Sequence, residues 1–199
     1  MSGLLDAFTQ QLGGDAINQI ARQIGADPGT TSAATGAALS TIVSALTRNA
    51  GQAGGADLLH AALNRDHDGS LLDNLSGFLG GGSSGPGDAI LGHVFGGRRD
   101  QIQTQLGRAT GLNSAAAGQL LATLAPIVLA QLGRMQRQQN LTPGGLAGML
   151  QQEHGAMHQA QPGAMGLVNS MLDADHDGDV DASDVAQQGL KLLGGLFGR

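Results

Sequence analysis

The chain has 199 residues, 41% of them hydrophobic, with four phenylalanines and neither tryptophan nor tyrosine. Ten basic and sixteen acidic residues give a formal net charge of −6, a balance that argues against nucleic acid as a main partner because binding a phosphate backbone takes clustered cations. The absence of cysteine excludes disulfides, thiol nucleophiles and thiolate metal sites.

Met1–Phe8 lack a basic region followed by a long apolar run, so no signal peptide is expected and the cytoplasm is the default location. From Gln19 the chain reads QIARQIGADP, a helix closed by Gly25, which accepts the left-handed conformation, with Asp27 capping the next helix. Leu39, Ile42, Val43 and Leu46 then fall at i, i+3, i+4 and i+7, predicting a helix with one apolar stripe. GGADLL (Gly54–Leu59) leads into an Asp-rich turn, NRDHDGS (Asn64–Ser70). Residues 80–87, GGGSSGPG, predict a flexible linker, and they lack the lysine of a phosphate cradle.

The second half repeats the first. Gln105–Ser114 aligns with Gln19–Pro28 at an offset of 86, so that Gly111 meets Gly25, Asn113 meets Asp27, Leu132 meets Leu46 and Arg134 meets Arg48. Leu121, Leu124, Val128 and Leu132 form the matching stripe, and Pro126 predicts a kink within it. The most apolar window, Leu120–Leu132, is too short to span a bilayer, so no transmembrane segment is expected. GGLAGML (Gly144–Leu150) precedes a second Asp-rich turn beginning at Asp173. With strand signals nearly absent, the expected fold is all-α. It is a compact multihelical array of two similar helical repeats, each followed by an Asp-rich EF-hand-like turn. Residues 1–79 hold the first repeat with a degenerate acidic loop, 80–87 the linker, and 88–199 the second repeat with a calcium-type loop at 173–184 and a C-terminal helix. An interior poor in aromatics is built from Leu, Ile, Val and Ala, with Ala and Gly allowing close helix approach.

DADHDGDVDASD, Asp173 to Asp184, crowds six aspartates into twelve residues. In a calcium loop, alternate side-chain oxygens converge on one ion while a central glycine permits the sharp turn. Asp173, Asp175 and Asp177 take positions one, three and five, Gly178 takes six, and Asp179 offers its main-chain carbonyl. Asp181 takes nine and Asp184 twelve, where the shorter Asp arm favours some magnesium competition. Two carboxylates about 4 Å apart repel by roughly 1 kcal/mol even in water, so such a cluster calls for a cation. The bland reading is a solvated Asp-Gly turn.

The first loop, Asn64–Leu75, is poorer. Asn64, Asp66 and Asp68 take positions one, three and five, and Ser70 offers the carbonyl at seven. Leu72 and Leu75 stand where later ligands belong, leaving Asp73 as the one later acid. It reads either as a shortened calcium loop or as a turn that binds no ion.

Histidines give no clear catalytic set. His154 and His158 are four apart but out of the H-E-x-x-H order of zinc proteases, and Gly155 weakens their helix, so they read as polar surface. His67 and His176, at position four of their loops, are expected to be exposed. His93 reads as a helix cap or a half-buried filler. No G-x-S-x-G and no dinucleotide fingerprint occurs. The C-terminal GLKLLGGLFGR (Gly189–Arg199) carries Leu190, Leu192, Leu193, Leu196 and Phe197. It is expected to pack back onto the core, a membrane or partner surface being the alternative.

LGHVFGG (Leu91–Gly97), Gly111–Arg134 and the two DHDG turns together resemble the YidB-like family, a bacterial group catalogued as a domain of unknown function. The resemblance runs from about Ile17 to Phe197. It implies a multihelical array of two similar halves and supplies no activity, cofactor or catalytic residue. Members of the family often keep paired acids after the DGS element. Here Asp73 is followed by Asn74 and Asp181 by Ala182.

The expectation is therefore a non-enzymatic, calcium-binding helical protein that acts as a structural or protein-interaction module, with a protein partner or self-association. The alternative is a helical enzyme or small-ligand carrier with purely structural calcium.

Overall fold

Residues 4–81 and 85–160 are described by a computed structural model, and every regular element among them is helical. In chain order these are α1 (Leu4–Gln11), α2 (Gly14–Ile24), α3 (Pro28–Gly51), α4 (Gly55–Asp66), a 3-10 turn (Ser70–Asn74) and α5 (Leu75–Gly80). After the Gly/Ser stretch come α6 (Gly85–Phe95), a second 3-10 turn (Gly96–Arg98), α7 (Arg99–Thr110), α8 (Ser114–Gln139) and α9 (Pro143–Ala160). The all-α expectation holds. The loop at 173–184 and the C-terminal segment lie outside the described residues.

The helix boundaries follow the local signals. Gly25 and Gly111 end α2 and α7 in the left-handed region, with φ of 68° and 77°. Two residues later Asp27 accepts a hydrogen bond from the Thr30 amide at 2.9 Å, and Asn113 accepts one from the Ala116 amide at 2.8 Å. Each cap satisfies an amide that the first helical turn leaves without a partner. The hydrogen bonds from Thr30 hold the Asp27 carboxyl below its usual range.

The two long helices, α3 and α8, pack against each other at the centre. Leu39, Ile42 and Leu46 of α3 and Leu121, Leu124 and Val128 of α8 belong to a single buried apolar cluster. Leu91 of α6 and Leu150 of α9 join the same cluster, so sequence on both sides of the Gly/Ser stretch builds one interior. Polar α3 residues are buried at no loss of hydrogen bonding. Thr35, Ser40, Thr41 and Ser44 each return their hydroxyl to the carbonyl four residues back.

Two expectations need revision. Residues 85–87 belong to the first turn of α6 rather than to the linker. Gly87 packs so closely on α8 that a Cβ there would lie 1.8 Å from the Ala122 carbonyl oxygen. Pro126 explains the location: it lacks the amide that would have bonded Ala122, and the carbonyl so freed is where α6 comes in. The second revision concerns the apolar window Leu120–Leu132. It lies inside a 26-residue helix that, by length and composition, is long and apolar enough to cross a membrane. In this structure that helix is the core helix, with 89% of its apolar stretch buried against the other elements.

Candidate functional site: an arginine-held acidic turn and an apolar groove

The first acidic turn is formed where α4 ends against α8. Asn64 and Asp66 still belong to α4, and the loop proper is only His67–Gly69 before the 3-10 turn begins. Gly133 of α8 permits this approach. A Cβ on it would lie 1.8 Å from the His67 carbonyl oxygen. Leu72, at the ninth loop position, is buried, and Gln11 of α1 donates to its carbonyl at 3.4 Å. A residue committed to the core cannot also be a metal ligand, which accounts for the missing later acids.

The acids of this turn meet arginines. Arg134 donates to the Gly69 carbonyl at 3.0 Å and forms an ion pair with Asp73. Arg137, one turn further along α8, donates to the carbonyls of Asn64 at 3.2 Å and Asp68 at 3.4 Å. It also stands 3.8 Å from an Asp68 carboxylate oxygen. The other Asp68 oxygen accepts from the Ser70 amide at 3.0 Å. Hydrogen bonds from Ser70 hold the Asp68 carboxyl below its usual range, and the positive charge of Arg137 adds to this. Asp66 turns instead to its neighbour Arg65, at 2.7 Å, and that hydrogen bond lowers its pKa. Asn64, Asp66, Asp68, Ser70 and Asp73 are thus close in sequence, but their oxygens do not converge on one point. Among the described residues no three His, Asp or Glu side chains are gathered to hold a metal ion. Asp173, Asp175, Asp177, Asp179, Asp181 and Asp184 lie outside them.

The arginines were not singled out from sequence. The available signal was that Arg134 and Arg137 lie three apart, on one helix face, at the end of an apolar stripe.

His67, expected to be exposed, is half-buried, because the end of α4 is pressed onto α8. Burial pushes its pKa below the usual 6.5, with Asp66 opposing. A base whose pKa is depressed on folding binds more protons unfolded than folded, so its contribution to stability is fully present above the unfolded pKa and is lost as pH falls through the folded value. Stability measured by urea unfolding is therefore expected to decline between pH 7 and pH 5, and less steeply in a His67→Gln variant. Identical slopes in the two proteins would contradict this assignment.

On the other side of His67 an open groove of about 620 Å³ runs between α3, α4 and α6. Its apolar lining includes Leu46, Leu58, Leu59, Ile90 and Val94 together with Leu129 of α8, and Gln52 and the Arg65–Asp66 pair are among the polar groups that line it. Leu58 is 74% exposed. His93, on the last turn of α6, is exposed and lines this groove rather than capping or filling. His67 and Asn49 also line it, the Asn49 amide donating to the Val94 carbonyl at 3.0 Å. His154 is half-buried on α9, where its neighbour Glu153 accepts from the Leu4 amide at 2.8 Å.

A family model described as a bacterial protein of unknown function, DUF937, matches residues 6–136, which take in α3, the first acidic turn and nearly all of α8. No curated protein and no solved structure matches the chain.

Proposed function

We propose a function starting from the fact that this chain belongs to DUF937, a bacterial family of unknown function: it is a non-enzymatic, calcium-binding helical protein that serves as a structural or protein-interaction module. In this reading the two halves are repeats, with α3 matching α8, and their EF-hand-like turns have diverged. The first is closed by arginine and the second by calcium. The likeness to the YidB-like group, carried by Leu91–Gly97 and the two turns, belongs to the same reading.

The observation that carries it is the pair of guanidinium groups on the first turn. There a modest number of acids is accompanied by Arg134 and Arg137, which cross from α8 to reach Asp73 and Asp68. The second turn holds six aspartates, and from residue 161 onward the sequence offers only Lys191 and Arg199 as cations. A hard divalent ion with several oxygen ligands answers that excess of charge, and the positions of Asp173, Asp175, Asp177, Asp179, Asp181 and Asp184 suit one. With the ion bound, the chain on either side of the loop is tied to fixed points, and the apolar groove supplies a contact surface.

Calorimetric titration of the metal-free full-length chain tests this. One calcium site is expected. Its affinity should fall at least tenfold in Asp173→Asn/Asp177→Asn and stay unchanged in Asp68→Asn, whose carboxylate already has its partners. No binding heat in the parent would remove the calcium reading, and equal binding in the double variant would move the site elsewhere. A second reading, a small-ligand carrier or enzyme with structural calcium, is favoured by the groove volume, which falls within the range of small-molecule cavities.

A further inference from the structure

We propose that the groove between α3, α4 and α6 is the seat of this chain's own carboxyl-terminal segment, with Leu190, Leu193 and Phe197 as its anchors. This goes beyond the calcium reading and stands whether or not the loop binds an ion.

Three observations converge on that occupant. The groove has an apolar lining, yet it leaves Leu58 74% exposed, the one large hydrophobic side chain so exposed among the described residues. Ala186, Leu190, Leu193 and Phe197 fall at i, i+4, i+7 and i+11, the spacing by which an amphipathic helix fills a hydrophobic groove. Gly194 and Gly195 weaken any helix that this segment forms alone, so it gains most from a surface to lie on.

Reach is ample. Ala160 ends α9, which packs on both α3 and α4, and residues 161–185 then precede the segment. Those 25 residues (185 − 160) extend to roughly 80 Å at about 3.3 Å per residue, about twice the roughly 39 Å length of the 26-residue α8 at about 1.5 Å per residue. A tethered segment also acts at a high effective concentration, on the order of millimolar, which favours it over the same segment of a second copy at micromolar protein. The acidic loop at 173–184 precedes Ala186 by one residue, Val185, so an ion held there fixes the start of the docking segment.

The absence of cysteine makes the test clean. In Leu58→Cys/Leu193→Cys, mild oxidation at micromolar protein is expected to give a disulfide within one chain, whereas Ser32→Cys/Leu193→Cys, whose exposed Ser32 lies at the far end of α3, gives little. In Leu58→Cys alone, the thiol labelling rate is expected to rise at least tenfold when Leu190→Asp/Leu193→Asp is added. Disulfides formed between chains would overturn the proposal in favour of a second copy. A labelling rate that the aspartates leave unchanged would overturn it outright. Both measurements are made with calcium and with chelator. A link that forms equally in both removes any role for the ion while the docking stands, and loss of the link in both removes the docking whatever the loop binds.

Discussion

Gly133→Ala is expected to destabilise the protein by about 3 kcal/mol or more, because overpacking against atoms that cannot give lies at the severe end of its usual range. The added Cβ would lie 1.8 Å from the His67 carbonyl oxygen and 3.0 Å from its carbon. Both contacts are backbone, so no rotamer change relieves them. Moving the end of α4 away is also costly, since Arg134 and Arg137 grip the carbonyls of Gly69, Asp68 and Asn64 from the same helix that carries Gly133. The intrinsic preference of a helix for alanine offsets about 1 kcal/mol at most. Gly36 in α3 supplies the control. A Cβ there meets nothing within 4 Å, and Gly36→Ala is expected to stabilise by roughly 0.5–1 kcal/mol. Urea unfolding of both variants, each against the parent, gives the comparison. A Gly133→Ala protein as stable as the parent would mean that α4 does not end on α8, and the account of the first acidic turn would fail with it.

Gly87→Ala is expected to cost about 2–3 kcal/mol for a related reason. Its Cβ would lie 1.8 Å from the Ala122 oxygen and 2.6 Å from the Ala122 carbon, at the point where α6 meets α8. That carbonyl is free to receive α6 because Pro126 has no amide to offer it. Gly92, on the same helix with nothing within 4 Å of its Cβ, gives the opposite expectation: Gly92→Ala should stabilise by up to about 1 kcal/mol. Opposite signs at two glycines five residues apart separate close packing from helix propensity. Equal effects at the two positions would show that α6 does not lie against the Ala122 carbonyl.

Much of the helical plan was legible because it is written in short-range chemistry. Gly25 with Asp27 and Gly111 with Asn113 each act within a few residues of themselves, so their capping roles can be read without knowing the fold. The apolar stripes of α3 and α8 were legible for the same reason, since helical period is a local property. The length of α8 was not, because the Ala- and Gly-rich turns flanking its most apolar window carry little pattern of their own.

The site divides along the same line. Sequence by itself determined that there are two Asp-rich stretches, which positions in each carry carboxylates, and that the first is poorer in them. Only the tertiary structure decided where the charge of the first turn is met. Arg134 is 61 residues from Asp73 and Arg137 is 69 from Asp68, and nothing in either segment names the other. The same holds for the half-burial of His67, where α4 ends on α8, and for the apolar groove between α3, α4 and α6. A cap or a stripe is fixed by neighbours along the chain, whereas an ion pair or a groove exists only once remote helices have been brought together by the burial of Leu, Ile and Val that neither segment can achieve alone.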